Sequence, residues 1–363
     1  MGALAVDAQT WTAVGTQGEG RDARLVVMTG TSTRHETSLL IDRPGYVGRD
    51  ISRTGSRAMV AGAHAVEGTE GGLGHPLFEA FAMAIDLDGE RGRIERSSTR
   101  GQPGTTSWKR ARPLAGGWVF AGAEKDQAWI VSLTSTVTRW ERRWSDVDRI
   151  HDMEVLEQGR ERQLGFIGEK GPLTRGQSVF RALDASGVVR WSWLADASAQ
   201  LTIVEPNPKF GWVLAGRDRG RGLVMALDVA GKARWQWRAP RHETSSSSRV
   251  AALATNSAGH LLVVLAHPFA TGDAARPTIQ LLSPDGHAIG DAVSLQATKP
   301  LTRIHIWDAA SMASGWLLAG AAVEPNRTSD GHVWRLNAHG DVIWASAWGA
   351  RRMLKATDRA SAR

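Results

Sequence analysis

One short phrase returns along the chain: Phe210-Gly-Trp-Val-Leu-Ala-Gly216, Gly116-Gly-Trp-Val-Phe-Ala-Gly122 and Ser314-Gly-Trp-Leu-Leu-Ala-Gly320. Looser copies are Thr10-Trp-Thr-Ala-Val-Gly15, Ala58-Met-Val-Ala-Gly62 and Leu164-Gly-Phe-Ile-Gly168, with Leu261-Leu-Val-Val-Leu265 followed by Ala266. Anchored on the closing small residues at 15, 62, 122, 168, 216, 266 and 320, the steps are 47, 60, 46, 48, 50 and 54 residues. A unit of that length cannot bury its apolar face alone and must stack against its neighbours. Seven copies of about fifty residues account for nearly all of the 363 residues. The period is that of a four-stranded blade, and it predicts an all-β chain, a seven-bladed β-propeller of four-stranded antiparallel blades spanning 1–349.

A second phrase follows the first. Val179-Phe-Arg-Ala-Leu-Asp-Ala-Ser-Gly-Val-Val-Arg-Trp191 and Val224-Met-Ala-Leu-Asp-Val-Ala-Gly-Lys-Ala-Arg-Trp235 are its best examples, and Val333-Trp-Arg-Leu-Asn-Ala-His-Gly-Asp-Val-Ile-Trp344 shares the form. Each reads as a strand, a hairpin turn that uses glycine for positive φ, and a second strand closing on tryptophan. Sixteen Trp against one Tyr is what a repeated packing position produces, each indole capping the gap between neighbouring blades. Within a blade the order is an inner strand A, strand B with the Gly-Trp phrase, strand C ending at the Asp, and an outer strand D ending at the tryptophan. In blade five these run roughly over 201–205, 212–215, 223–227 and 233–237.

Ala182-Leu-Asp184 with Gly187 and Trp191, and Ala226-Leu-Asp228 with Gly231 and Trp235, resemble the bacterial tryptophan-bearing, quinoprotein-like propeller repeats. In that type an Ala-x-Asp…Gly…Trp strand pair locks one blade onto the next. Blade three, Val131-Ser-Leu-Thr-Ser-Thr-Val-Thr-Arg-Trp140, departs from it in lacking both the Asp and the Gly. The resemblance implies the fold and leaves activity open, since such repeats serve dehydrogenases, assembly factors and scaffolds alike. No cofactor and no metal site is expected: the chain has no cysteine, and its histidines and acids lack ligand spacing.

No apolar run approaches the roughly twenty residues of a membrane span. Met1-Gly-Ala-Leu-Ala-Val-Asp-Ala-Gln9 has no basic stretch and too short an apolar run for an intact signal peptide. Because relatives with such repeats are often exported, the resemblance favours an exported or periplasmic location over a cytoplasmic one. The stretch 350–363 carries five of the basic residues against Asp358 alone, more than half of the formal +7, and is expected to be a flexible tail. With that charge set aside the body is mildly basic, which argues against nucleic acid as a partner.

The D–A and B–C connections share one face and are the longer ones, so function is expected there. The longest is Ala63 to Glu79 of blade two, whose His64, His75, Glu67 and Glu70 lack any regular ligand spacing, so it is read as a solvated glycine-rich loop. At the predicted entry to strand A stand Arg53 in blade two, Lys109 and Arg110 in blade three, Arg149 and His151 in blade four, Arg249 in blade six, and Arg303 and His305 in blade seven. Blade five has Gln200 there, with Arg217, Arg219 and Arg221 on its B–C loop. These groups are expected to form a basic collar at one channel mouth, focusing potential on an anion or acidic partner. His305 and Asp308, three apart on a strand, are expected on opposite faces. The expectation is a non-enzymatic binding platform for an acidic protein segment or an anionic polymer. The alternative is an exported lyase or hydrolase on an acidic carbohydrate, with His151 or His305 transferring protons.

Overall fold

In the computed structural model the chain forms 28 strands and, among the described residues, no helix. The residues described are 3–348, without 8–9, 18–23, 32–34, 71–75, 88–92, 101–105, 135–136, 160, 172–175, 242–246, 268–275, 296–302 and 324–328. The basic stretch 350–363 lies outside them. Strands are numbered β1 to β28 in chain order. They form seven antiparallel four-stranded sheets, each built from four consecutive strands laid down from the inside outward.

The innermost strands are β1 (Ala3–Asp7), β5 (Tyr46–Thr54), β9 (Thr106–Leu114), β13 (Arg149–Gln158), β17 (Ala199–Asn207), β21 (Arg249–Thr255) and β25 (Arg303–Met312). Together they enclose a cavity of about 290 Å³ to which all seven contribute. Blade five matches the expected order, with strands at Ala199–Asn207, Gly211–Asp218, Arg221–Asp228 and Ala233–Arg238.

The recurrent glycine that closes the Gly-Trp phrase has a physical cause. In six blades strand A carries a β-bulge, two of its residues facing one on strand B. At Gly62, Gly122, Gly216 and Gly320 a Cβ would overlap the strand A carbonyl that the bulge pushes inward. In blade six Leu265, not Ala266, pairs at this level, because Val250 lies opposite Leu265 and Ala252 opposite Val264.

The outer tryptophans do what their repetition suggested. Trp140, Trp191 and Trp235 each donate the indole N–H to a carbonyl in the next blade's C–D turn: Ala185 (2.9 Å), Val229 (2.8 Å) and Pro284 (2.8 Å). Each ring lies on that turn's glycine, Gly187, Gly231 or Gly286, all at positive φ. The turns are tied by Asp184 and Asp228, whose Oδ1 atoms accept backbone N–H groups two and four residues on.

The connection read as a loop in blade two is largely a hairpin. The second and third strands of that blade, β6 (Arg57–Glu70) and β7 (Pro76–Asp86), run on past Ala63 and Glu79, and only 71–75 falls between them. His64 and Glu79 face each other in its ladder at 3.3 Å, and Tyr46 stacks on the imidazole at 4.3 Å. The ladder continues with Ala65 opposite Phe78 and, past an irregularity, Glu70 opposite Pro76.

Among the described residues the ring closes without a shared strand. Blade one uses only N-terminal strands and blade seven only C-terminal ones. Their seam is an apolar cluster that includes Leu4, Trp11, Met28, Met312 and Leu317, together with one hydrogen bond from Leu4 N–H to Asp308 Oδ2 (2.7 Å).

Candidate functional site

The bulge organises the channel. Taking the bulged residue of each inner strand as reference, the bulges are Arg49, Lys109, His151, Thr202, Ala251 and Trp307 in blades two to seven. One residue further on stand Asp50, Arg110, Asp152, Ile203, Ala252 and Asp308. Three further on stand Ser52, Arg112, Glu154, Glu205, Ala254 and Ala310. Charge therefore collects on two adjoining levels in the waist of the channel.

That waist is a clasp between blades. Asp50 Oδ2 accepts the N–H of Ala111 (2.7 Å), Asp152 Oδ2 that of Val204 (2.9 Å) and Asp308 Oδ2 that of Leu4 (2.7 Å), each in the next blade. Glu205 accepts the N–H of Thr255 (3.0 Å). The inner edge of a sheet leaves such donors without a ladder partner, and these carboxylates satisfy them. Arg110 Nε bonds Asp152, and Arg112 joins Asp50 (Nη1, 2.6 Å) to Glu154 (Nε, 2.7 Å).

Five carboxylates thus share the waist with two arginines, and protons make up part of the difference. Burial pushes Glu154 up to about 7 against the opposing pull of Arg112. Glu205 is held well above the usual carboxylate range by burial, then by Glu154. Asp308 rises to about 6, again chiefly through burial. Arg112 puts both of its bonds to Glu154 on a single oxygen, Oε1, which gives this carboxylate a fixed structural partner.

The structure places the residues predicted for a collar as follows. Arg149, Gln200, Arg249 and His305 take equivalent places two residues before the bulge, with Arg303 two residues earlier still, at the mouth on the D–A side. Lys109 and His151 are bulge residues at the same mouth. Arg249, Arg303 and His305 are exposed. In blade five Arg217 bonds Gln200 (2.7 Å), while Arg221 turns inward to the carbonyl of Ala239 (2.9 Å).

Two of the predicted residues lie elsewhere. Arg53 is at the exit end of β5, since that strand starts at Tyr46; there it donates to the Gly55 carbonyl (2.6 Å) and to Thr12 (3.4 Å). The blade-two cation at the entry mouth is Arg49, which sequence reading passed over. Arg110 sits one step below the mouth, committed to Asp152. The bulge also corrects the strict alternation applied to His305 and Asp308: they pair with Ala321 and Ala319, so the register puts both on one face.

At the mouth, positive charge is crowded. Burial and then Arg49, Arg110 and Arg149 lower the Lys109 ammonium to about 8. His151 is lowered by burial and by Lys109, although its Nε2 lies 3.1 Å from Glu169, and His305 is lowered by burial, Arg303 and Arg249. Both imidazoles are therefore mainly neutral at pH 7. The waist residues have one sequence signal, the charged i, i+2 pairs Arg110/Arg112 and Asp152/Glu154 that share a face of a strand.

No family model and no curated protein matches this chain. Solved structures do. The BP39L lectin from Burkholderia pseudomallei is 10% identical with a TM-score of 0.61, covering 95% of this chain and 98% of that one. The β-propeller domain of the Trilobed protease from Pyrococcus furiosus, described as having an open velcro topology, is 8% identical with a TM-score of 0.53, covering 95% and 96%. Sqt1 from Chaetomium thermophilum, bound to the N-terminus of the ribosomal protein L10, is 14% identical with a TM-score of 0.56, covering 94% and 86%. At such identities the likeness shows the β-propeller fold alone.

Proposed function

We propose that this propeller is a non-enzymatic binding platform whose D–A mouth holds an acidic protein segment or an anionic polymer. The observation that carries the reading is the convergence of Arg49, Lys109, Arg149, Arg249 and Arg303, drawn from five blades, at one end of the channel. Glu169 is the carboxylate paired among them, 3.7 Å from Arg149. Like charges gathered around a concave mouth raise the local potential and steer anions toward it. The arginine fork suits carboxylate and phosphate oxygens, and its exposure at positions 249 and 303 leaves it accessible.

The Trp-on-turn lock between blades supports placing the chain among the quinoprotein-like repeats as one of their scaffolds. Sqt1 and the lectin are propellers whose names speak of binding, and this chain is read in the same class. The charged waist serves the scaffold, since Asp50, Asp152, Asp308 and Glu205 are occupied by backbone donors of neighbouring blades and Glu154 by Arg112.

The test is binding of polyglutamate, followed by calorimetry against ionic strength. Affinity is expected to fall about tenfold or more between 50 and 300 mM salt, and Arg249→Ala or Arg303→Ala to weaken it several-fold with the thermal midpoint retained. A flat salt response with unaffected variants overturns the reading. Turnover of an acidic carbohydrate that disappears in His151→Ala or His305→Ala would instead establish the lyase or hydrolase alternative.

A further inference from the structure

The three bulge residues of blades two, three and four differ in kind from those of the other blades. Arg49, Lys109 and His151 are cationic or imidazole side chains, whereas Thr202, Ala251 and Trp307 are not. A bulge turns its extra side chain out of the ladder and re-aims it, and here three consecutive blades do so at one register level. Arg149, two residues before the third bulge, adds a guanidinium to the same arc.

The arc has more positive charge than partners. Arg110 is committed to Asp152, and Glu169 serves Arg149 and His151. Among the described residues Arg49 keeps a buried Nε with no hydrogen-bond partner, and burial lowers the pKa of its guanidinium. An unpaired buried donor of a charged group is costly unless something arrives to accept from it. Lys109 stands within electrostatic reach of Arg49 and Arg149; burial and then this crowding lower its ammonium to about 8, and an arriving anion opposes both. Counting Arg49, Lys109 and Arg149 against Glu169, with His151 neutral, the arc holds a formal +2.

We propose that Arg49 and Lys109, flanked by Arg149 and His151, bind a phosphate dianion at the channel mouth, as inorganic phosphate or as the phosphomonoester of a partner. The inference rests on the anion-platform reading and narrows it to one arc and one chemistry. A charge of about −2 matches the arc, and three acceptor oxygens match donors arriving from separate blades, where a carboxylate brings one charge and two oxygens.

The experiment is calorimetric titration of the full chain with inorganic phosphate, phosphoserine and acetate at constant ionic strength, with ³¹P line width as a second readout. Saturable one-to-one binding of a phosphate species, at least about tenfold tighter than acetate, is expected. Arg49→Met and Lys109→Met should each weaken it about tenfold or more, while Lys232→Ala, in a C–D turn on the other face, leaves it unchanged. If either methionine variant loses its fold, Arg49→Lys and Lys109→Arg retain the charge and are expected to keep part of the affinity. Tighter phosphoserine assigns the site to a phosphorylated partner, and tighter inorganic phosphate to the free ion. Acetate binding as tightly as phosphate, or methionine variants that bind phosphate like the parent, overturns the proposal. A flat phosphate titration with salt-sensitive, Arg303-dependent polyglutamate binding sinks the phosphate site alone. Failure of both titrations removes the platform as well.

Discussion

Asp308 meets two structural demands with one side chain: Oδ2 accepts the N–H of Leu4 across the ring seam, and Oδ1 accepts that of Ala309 (2.9 Å). Burial nevertheless lifts its pKa to about 6 from an ordinary 3.8. The folded chain therefore holds this proton more tightly than the unfolded chain. The associated stabilisation is complete below about pH 4 and is lost as pH rises through about 6. Asp308→Asn should show a constant penalty of about 1 kcal/mol from one lost acceptor, offset progressively between pH 4 and pH 7 as the parent loses its proton-linked stability. Urea midpoints of parent and variant measured across that range check it, and a difference independent of pH contradicts it. Residues of this kind were half legible in the sequence. The i, i+2 pairing of Arg110 with Arg112 and of Asp152 with Glu154 marks a shared face. What hid their convergence is the bulge, which shifts the alternation by one and is invisible to a strict period of two.

Among the elements, the D strand and the following blade's C–D turn were the most readable, because the same few residues perform the same contact repeatedly. Trp191 spans a blade boundary, donates to the carbonyl of Val229 and covers Gly231, whose φ is +86°. A Cβ at Gly231 would come within 2.6 Å of the indole Cε3. Gly231→Ala is therefore expected to cost about 2–4 kcal/mol, the positive φ contributing about 1 kcal/mol and the clash the remainder. Gly55→Ala supplies the control, since its φ is +58° and nothing lies within 4 Å of the added methyl. In a double-mutant cycle, Trp191→Leu should remove the clash component, so that the combined cost falls below the sum by about 1 kcal/mol or more. Additive costs would show that the two residues do not share a contact. The entry position of strand A was less readable for the opposite reason. The inner strands have no common motif, so nothing in the sequence marks that β5 begins seven residues before Arg53 or singles out Arg49 as the entry cation.

For the molecule as a whole, seven-fold repetition predicted the circle but could not reveal how it closes, because closure is made by the contacts at two chain ends and leaves no periodic trace. Blades one and seven meet side by side, and among the described residues no strand crosses from one end of the chain into the other's sheet. Most boundaries between blades are tethered by the chain itself, whereas this one is held by non-covalent contacts: Leu4 and Met312 in the shared cluster, the indoles of Trp11 and Trp344 with centroids 6.3 Å apart, and the Leu4–Asp308 bond. A boundary without a covalent tether is the expected place for opening to begin, since separating it does not strain a connecting loop. Leu4→Ala removes most of a buried side chain from that seam and should lower stability by about 2–4 kcal/mol. In hydrogen exchange, β1 and β25 should then lose protection ahead of β13 and β17 in the middle of the chain. Uniform loss around the ring would mean that the seam opens no more readily than any other blade boundary.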